Sequence, residues 1–176
     1  MIDMTKAQPH SIWLCTQGPL YDQMAADIGR LASAINTDTF APHVTLLGDL
    51  TGSPADTFAA CRRVFGAATS IKARVTGIAQ TEDFFMSLFL DLDDGGSLRV
   101  AREQIAKDLS VKIPEQFRPH ISLAYGHTAL DPQGVCQLND RYTGQEITLQ
   151  SVAVVASAKE IPIAQWHILS SMILIP

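Results

Sequence analysis

The sequence predicts a mixed α+β fold in two lobes, and two observations support that prediction. Stretches with strand periodicity alternate with stretches with helical periodicity over the 176 residues. One phrase, Phe-x-Pro-His-(Val/Ile)-(Thr/Ser)-Leu, also occurs twice, at residues 40–46 and 117–123. Because each copy opens a predicted strand, we expect one domain spanning 1–176. Its lobes are related by an approximate internal duplication, with a boundary near residues 80–83, and each contributes one motif strand.

The first half of the chain predicts two helices between three strands. Apolar residues recur at helical spacing from Leu20 onward, and Ser53-Pro54 reads as an N-cap followed by proline at the first helical position. Gly48 ends the first motif strand. The predicted elements are a strand at 11–16, a helix at 20–35, a strand at 43–47, a helix at 54–65 and a strand at 71–79.

The second half predicts one clear helix and several strands. β-Branched and aromatic residues mark the strands, and apolar residues at helical spacing follow Asp94-Gly95-Gly96. Residues 129–144 are polar and irregular, so we expect a loop there with at most one short helix. The predicted elements are a strand at 84–92, a helix at 98–109, and strands at 120–125, 147–156 and 166–175.

The bulk composition excludes some classes of protein. A net charge of −5 argues against a general nucleic-acid binder, although a small anionic ligand remains compatible with it. The three cysteines have no CxxC spacing and suggest reduced thiols. Neither a signal peptide nor a membrane span is evident, so we expect a cytoplasmic protein with no membrane partner. We also expect a monomer.

The repeated phrase contains the residues that we expect to be catalytic. Each copy places an imidazole and a hydroxyl two positions apart, His43 with Thr45 and His120 with Ser122, so each pair shares one face of its strand. Two imidazoles can act as general base and general acid near neutral pH. The hydroxyls can donate hydrogen bonds to phosphate oxygens and stabilise developing charge. Together these groups suit the opening of a cyclic phosphate.

Other interpretations of the two motifs are weaker. A lone strand histidine is more often a surface or core residue, but two copies in register make coincidence much less likely. Neither motif has a carboxylate or cysteine at ligand spacing, so we expect no metal and no cofactor. Neither Thr45 nor Ser122 lies in a Gly-x-Ser-x-Gly turn, which disfavours a hydroxyl nucleophile.

The motifs HVTL at 43–46 and HISL at 120–123 resemble the signature of the 2H phosphoesterase superfamily. SIWL, PHVTLLG, RVTGIAQTEDFF and FRPHISLAYG make the chain most similar to its cyclic phosphodiesterase branch. This resemblance implies a bilobal, pseudo-symmetric fold with antiparallel sheets lining a central cleft and helices outside. It implies metal-independent hydrolysis of ADP-ribose 1″,2″-cyclic phosphate, nucleoside 2′,3′-cyclic phosphates, or both. His43 and His120 would be the acid–base pair, and Thr45 and Ser122 the phosphate-binding hydroxyls.

The resemblance also implies aromatic residues around the cleft. The candidates are Tyr125, Trp13 and Phe84, with core packing as the alternative for Trp13 and Phe84. Tyr125 ends the second motif strand where the first copy has Gly48, so the two lobes would offer unlike walls. The remaining histidines, at positions 10, 127 and 167, have no motif around them and are expected to be incidental.

Two rival functions stay open at this point. One is the RNA-processing branch of the same superfamily, the RNA 2′,3′-cyclic phosphodiesterases and 2′–5′ RNA ligase-like proteins. It predicts a basic groove leading to the cleft, which the acidic net charge disfavours, so we expect a small-molecule substrate and no stable nucleic-acid partner. The other is a nucleotide-binding module that has lost turnover, which the presence of both histidines and both hydroxyls disfavours.

Overall fold

The computed structural model describes residues 3–126 and 132–176. Its described part holds eight strands, four α-helices and two short 3₁₀ turns, at Phe84–Met86 and Ile163–Gln165. The strands are β1 (His10–Cys15), β2 (His43–Leu50), β3 (Ile71–Gln80), β4 (Leu88–Asp93), β5 (His120–Ala124), β6 (Glu146–Leu149), β7 (Ser151–Ala156) and β8 (His167–Ile173). The helices are α1 (Pro19–Ala34), α2 (Pro54–Phe65), α3 (Ser97–Asp108) and α4 (Pro132–Tyr142).

The strands form two four-stranded antiparallel sheets, which confirms the predicted α+β class. The first sheet has the order β2-β1-β7-β8 and the second has the order β5-β4-β3-β6. The first motif strand, β2, is an edge strand of the first sheet, and the second, β5, is an edge strand of the second. Each sheet therefore presents one motif at its edge.

The predicted lobe boundary near residues 80–83 is wrong. Strand β3 pairs with β4 and β6, so it belongs to the second sheet together with the strands that follow it up to Leu149. The chain crosses between the sheets at 66–70 and again at Gln150, after which β7 and β8 return to the first sheet. The first sheet is therefore assembled from both ends of the described chain, with the second sheet inserted between them.

The predicted strand at 147–156 is two strands in different sheets. Ile147 and Leu149 are buried in the second sheet, whereas Val152 and Val154 are buried in the first. The residues that join the main apolar cluster change from odd to even numbers across Gln150, while Ala153 and Val155 are buried on the other face against Trp13. Such a change of phase is what a break in a strand produces. No glycine or proline marks the break, so composition carries no sign of it.

Two other predicted elements also differ from the structure. Residues 84–86 form a 3₁₀ turn, capped by the Asp83 carboxylate, which accepts from the Phe85 N–H at 2.9 Å, so the strand expected at 84–92 begins only at Leu88. In the region predicted as a loop with a short helix, α4 runs for 11 residues and buries Leu138 and Tyr142. Residues 129–131 of that region lie outside the described residues.

Two of the helices, α1 and α3, pack against the sheet that does not contain the strands flanking them in sequence. Helix α1 follows β1 in sequence but packs on β5, while α3 follows β4 and packs on α2 and β2. Asp27 of α1 is buried and accepts hydrogen bonds from Arg30, from Arg141 at 2.6 Å and from the Tyr142 hydroxyl at 2.7 Å. One cluster of buried apolar side chains runs through both sheets. None of the described helices is long and apolar enough to cross a membrane.

Candidate active site

Both motif histidines are anchored in the same way. Each is the first residue of its strand, and its Nδ1 lies close to the carbonyl oxygen two residues earlier, that of Ala41 at 2.6 Å for His43 and that of Arg118 at 2.7 Å for His120. Because a carbonyl oxygen only accepts, Nδ1 carries the proton and Nε2 is the free ring nitrogen. Each imidazole is therefore oriented by its own backbone, with Nε2 available for proton transfer.

The four motif side chains line a single cavity of about 240 Å³. His43 and Thr45 enter it from β2, and His120 and Ser122 enter it from β5. The structure therefore brings together, from two edge strands in different sheets, the four residues that the sequence predicts as the chemical groups.

The two hydroxyls have different surroundings. The Ser122 Oγ donates to the Phe85 carbonyl at 3.1 Å and also interacts with the Tyr125 hydroxyl. The Thr45 hydroxyl has no hydrogen-bond partner among the described residues. In the free protein Thr45 is thus ready to donate to a ligand, whereas Ser122 must first give up its bond to Phe85.

Two of the three predicted aromatic residues line the cavity. Trp13, which pairs with Thr45 across the β1–β2 ladder, stacks on the His43 ring with centroids 3.5 Å apart and planes 9° from parallel. Tyr125 is buried, stacks on Phe40 at 3.9 Å and lines the cavity next to Ser122. Gly48 also lines the cavity, so the unlike walls expected from the Tyr125–Gly48 difference are present.

The third aromatic candidate, Phe84, does not reach the cavity. Its side chain is 47% exposed, and it packs edge-to-face on Phe85 and against Gly126. Phe85, the next residue of the same 3₁₀ turn, lines the cavity in its place. The resemblance suggests Phe84, and the structure places its neighbour Phe85 at the cavity instead.

Sequence reasoning missed Trp166. It lies just before β8, far in sequence from both motifs, yet it lines the cavity and contacts Trp13 and Tyr125 edge-to-face at 5.7 and 5.9 Å. Its indole N–H donates to the Ile161 carbonyl at 3.0 Å, which fixes the ring. The only sequence feature that could have indicated Trp166 is its position as an aromatic residue at the start of a predicted strand, much as Phe40 lies shortly before the strand that begins at His43.

The electrostatic environments of the two histidines differ. Burial lowers the pKa of His43 to about 4, against a smaller upward effect of the Ala41 carbonyl, and the charge of His120 lowers it further. Burial also lowers the pKa of His120, but the Arg118 carbonyl and the carboxylates of Asp91 and Asp83 oppose this effect. His43 is therefore neutral near pH 7. The pKa of His120 is lowered as well, but His120 is the one of the two whose lowering nearby carboxylates oppose.

Asp91 produces part of this difference. It pairs with His120 across the β4–β5 ladder, where Cys15 pairs with His43 in the β1–β2 ladder. Both carboxylate oxygens of Asp91 accept from the Arg118 guanidinium, which also lies over the Phe89 ring at 4.8 Å. Arg118 is not among the residues that line the cavity, and its charge is matched by Asp91.

The other described histidines lie outside the cavity. His10 is fully buried, with Nδ1 on the Gln8 carbonyl at 2.7 Å and Nε2 on the Thr57 hydroxyl at 2.8 Å, so both ring nitrogens serve the fold. His167 is exposed and likewise has Nδ1 on a carbonyl two residues earlier. His127 lies outside the described residues. Within 3–126 and 132–176, no group of His, Cys, Asp and Glu side chains is arranged to hold a metal ion.

Comparisons with known proteins agree with this arrangement. A family model described as the 2′-5′ RNA ligase superfamily matches residues 21–160. No curated protein sequence is significantly similar to the chain.

Several solved structures share the fold. TT0787 of Thermus thermophilus superposes with a TM-score of 0.62 at 18% identity, over 95% of this chain and 98% of that one. E. coli LigT complexed with 3′-AMP gives 0.63 at 13%, over 96% and 99%. Kluyveromyces marxianus Usb1 gives 0.51 at 12%, over 97% and 99%. At these identities the likeness shows the fold alone.

Proposed function

We propose that this chain, which belongs to the 2′-5′ RNA ligase superfamily of 2H phosphoesterases, hydrolyses cyclic phosphates on ribose, with His43 and His120 as its acid–base pair. The observation that carries the proposal is the convergence of two backbone-anchored imidazoles and two hydroxyls on one cavity. Family membership supports phosphodiester chemistry in general, and the substrate is the part that we propose.

The proposed reaction adds one water across one P–O bond. One neutral imidazole accepts a proton through Nε2 as the water oxygen attacks phosphorus. The other imidazole, protonated, gives its Nε2 proton to the ribose oxygen as the P–O bond to that oxygen breaks. Thr45 and Ser122 donate to the non-bridging oxygens, where negative charge builds up. Proton exchange with solvent then restores both rings.

The surroundings of the two rings support a division of roles. His43 is buried under Trp13 and is neutral over most of the pH range, as a base must be before it accepts a proton. Burial lowers the pKa of His120 too, but the carboxylates of Asp91 and Asp83 oppose that lowering, whereas no carboxylate among the described residues raises the pKa of His43. We therefore assign the base to His43 and the acid to His120 for the hydrolytic direction.

Solved relatives support a ribose phosphate as the ligand. E. coli LigT has been crystallised with 3′-AMP, and also with phosphate. A 3′-phosphate on ribose is one of the two possible products of opening a 2′,3′-cyclic phosphate. The bound 3′-AMP is a property of LigT. For the present chain it supports ribose cyclic phosphates as the class of substrate, and it does not indicate which ribose cyclic phosphate is the substrate.

A second candidate, RNA processing, is favoured by the description of the matching family model. It predicts hydrolysis or ligation at the end of an oligonucleotide. The described cavity lining contains one lysine and no arginine, which gives an RNA backbone little to bind.

The test is a hydrolysis panel with product identification by NMR. It includes ADP-ribose 1″,2″-cyclic phosphate, the four nucleoside 2′,3′-cyclic phosphates, 3′,5′-cyclic AMP and an oligonucleotide ending in a 2′,3′-cyclic phosphate. We expect ring opening of a ribose cyclic phosphate in the presence of EDTA. His43→Ala and His120→Ala should each lower the rate by about 10²-fold or more. Near-normal turnover in either variant, or no ring opening of any substrate, would refute the proposal.

A further inference from the structure

The cavity has almost no free positive charge. Apart from the imidazolium that His120 carries as the acid of the proposed reaction, its charged lining residues are Asp49, Asp83 and Lys159. The Lys159 ammonium lies 3.7 Å from the Asp49 carboxylate, and the Lys159 backbone N–H donates to the same carboxylate at 3.2 Å. The one lysine that lines the described cavity thus already faces a carboxylate, and Asp83 adds a further negative charge.

A groove next to the cavity has no lysine or arginine in its described lining. It has a volume of about 870 Å³ and shares Trp13 and Trp166 with the cavity. Small and apolar side chains of β7 and β8, such as Ala153 and Ile173, line much of it. Asp22 is the only Asp, Glu, Lys or Arg in the described lining of the groove. A part of a substrate that extends from the cavity along the groove would therefore meet no lysine or arginine.

The residues outside the described ranges add no lysine or arginine to those already named. Residues 1–2 and 127–131 include neither lysine nor arginine. Arg118, which follows the second motif's phenylalanine, has its guanidinium on both oxygens of Asp91.

Neutral hydroxyls are the polar groups that the cavity offers instead. Besides Thr45 and Ser122, the lining includes Ser11, whose hydroxyl donates to the Ser157 carbonyl at 2.7 Å. The Ser157 hydroxyl is buried and has no partner in the described structure. Hydroxyls suit one delocalised phosphate charge and the hydroxyls of a ribose, but they do not neutralise a second phosphate.

From this balance of charges we infer that the site selects substrates whose cyclic phosphate is their only phosphate. The preferred class is then the nucleoside 2′,3′-cyclic monophosphates, ahead of ADP-ribose cyclic phosphate and ahead of oligonucleotides. The inference rests on the proposed function. A second phosphate brings negative charge toward Asp49, Asp83 or Asp22 with no unpaired lysine or arginine to offset it, and such like-charge contacts are a common source of specificity.

Three matched substrates test the inference. They are adenosine 2′,3′-cyclic phosphate, the same molecule with a 5′-phosphate, and the same molecule with a neutral 5′-O-acetyl group. We expect kcat/KM to fall by about tenfold for the 5′-phosphate and to change little for the acetyl ester, because only the first adds charge. Raising the salt from about 10 mM to about 300 mM should narrow the gap, because it screens the repulsion.

Variants identify the groups responsible. Asp49→Asn leaves the charge of Lys159 unmatched, so it should reduce the penalty on the 5′-phosphate more than Glu115→Gln, which removes an exposed carboxylate outside the cavity lining. Equal or faster turnover of the 5′-phosphorylated substrate at low salt would overturn the inference. The inference would also be overturned if the fall in kcat/KM for the 5′-phosphorylated substrate changed neither with salt nor in Asp49→Asn. The enzyme would then exclude the 5′-phosphate by its size and not by its charge.

A binding measurement separates the failure of this inference from the failure of the proposed function. Calorimetric titration with adenosine 2′-phosphate and with adenosine 2′,5′-bisphosphate compares one phosphate with two and needs no turnover. Tighter binding of the monophosphate supports the selection even if no cyclic substrate is opened. Equal or tighter binding of the bisphosphate overturns it even if hydrolysis is observed.

Discussion

Trp13 covers the face of the His43 imidazole, with ring centroids 3.5 Å apart and planes 9° from parallel. Burial is the main cause of the lowered pKa of His43, and this indole is part of that burial. Replacing Trp13 by alanine should let water reach the ring and move the pKa of His43 upward from about 4 toward its ordinary value. Titration of the histidine Cε1 protons by NMR measures the shift.

The matched control for this prediction is Trp13→Phe, which keeps an aromatic ring over His43 and should change the pKa less. Circular dichroism checks that the alanine variant is folded, since Trp13 also packs on Ala153 and Val155. An unchanged pKa in a folded Trp13→Ala protein would mean that the indole does not exclude water from His43.

Asp91 and Arg118 should shift the pKa of His120 in opposite directions. The carboxylate of Asp91 raises this pKa and the guanidinium of Arg118 lowers it. Asp91→Asn should therefore lower the pKa of His120, and Arg118→Gln should raise it. If His120 is the general acid, the alkaline limb of the kcat/KM–pH profile moves to lower pH in the first variant and to higher pH in the second. Shifts of the same sign in both variants would indicate a loosened strand rather than an electrostatic effect.

The two motif hydroxyls should differ in what they contribute to stability. Thr45→Val removes a hydroxyl without a partner in the described structure, so we expect a change in unfolding free energy within about 0.5 kcal/mol. Ser122→Ala removes the donor to the Phe85 carbonyl, with an expected cost of about 1–3 kcal/mol. Both variants should lower kcat, by about tenfold or more, because each loses a donor to the phosphate. Urea denaturation measures the unfolding free energies, and initial rates measure kcat. Equal unfolding free energies for the two variants would contradict the conclusion that only the Ser122 hydroxyl is hydrogen-bonded in the free protein.

Stability should fall as the pH drops below about 6.5. Burial lowers the pKa of His43 to about 4 and also lowers that of His10. Between the folded and unfolded pKa values the unfolded chain binds protons that the folded chain does not, so unfolding becomes easier as the pH falls through this window. His43 alone would contribute about 3 kcal/mol over the full window.

Urea midpoints at pH 7 and pH 4.5 test this dependence. His43→Asn keeps a donor near the Nδ1 position but does not titrate, so its stability should change less between the two pH values than that of the native protein. His10→Asn should behave likewise, to the extent that it folds. Identical pH dependence in all three proteins would show that these histidines do not set the acid sensitivity.

The motif residues were predictable from the sequence because their signal is local. Proline, histidine and hydroxyl at fixed spacing place each imidazole at a strand entry, and the strand itself then sends His and Thr/Ser to one side. The hydrogen bond from Nδ1 to the carbonyl two residues earlier does not distinguish them, since His10 and His167 make it as well. What distinguishes them is the surroundings of Nε2, which depend on the tertiary structure.

The parts that could not be predicted depend on contacts between distant segments. Trp166 reaches the cavity only because β8 joins the first sheet through β7. The sheet change at Gln150 follows from which strands pair, and no local propensity encodes that choice. Phe85, and not the candidate Phe84, lines the cavity, where its carbonyl accepts from Ser122 of β5.

The packing of α1 and α3 against the opposite sheet has a consequence for folding. Helix α1 lies between two strands of the first sheet in the chain but buries its apolar face against β5, and α3 does the reverse against α2 and β2. A fragment that ended after α2 would expose the buried side of α1 and would lack β7 and β8. We therefore expect the two lobes to unfold together, so that His43 and His120 lose their ordered environments in a single cooperative transition.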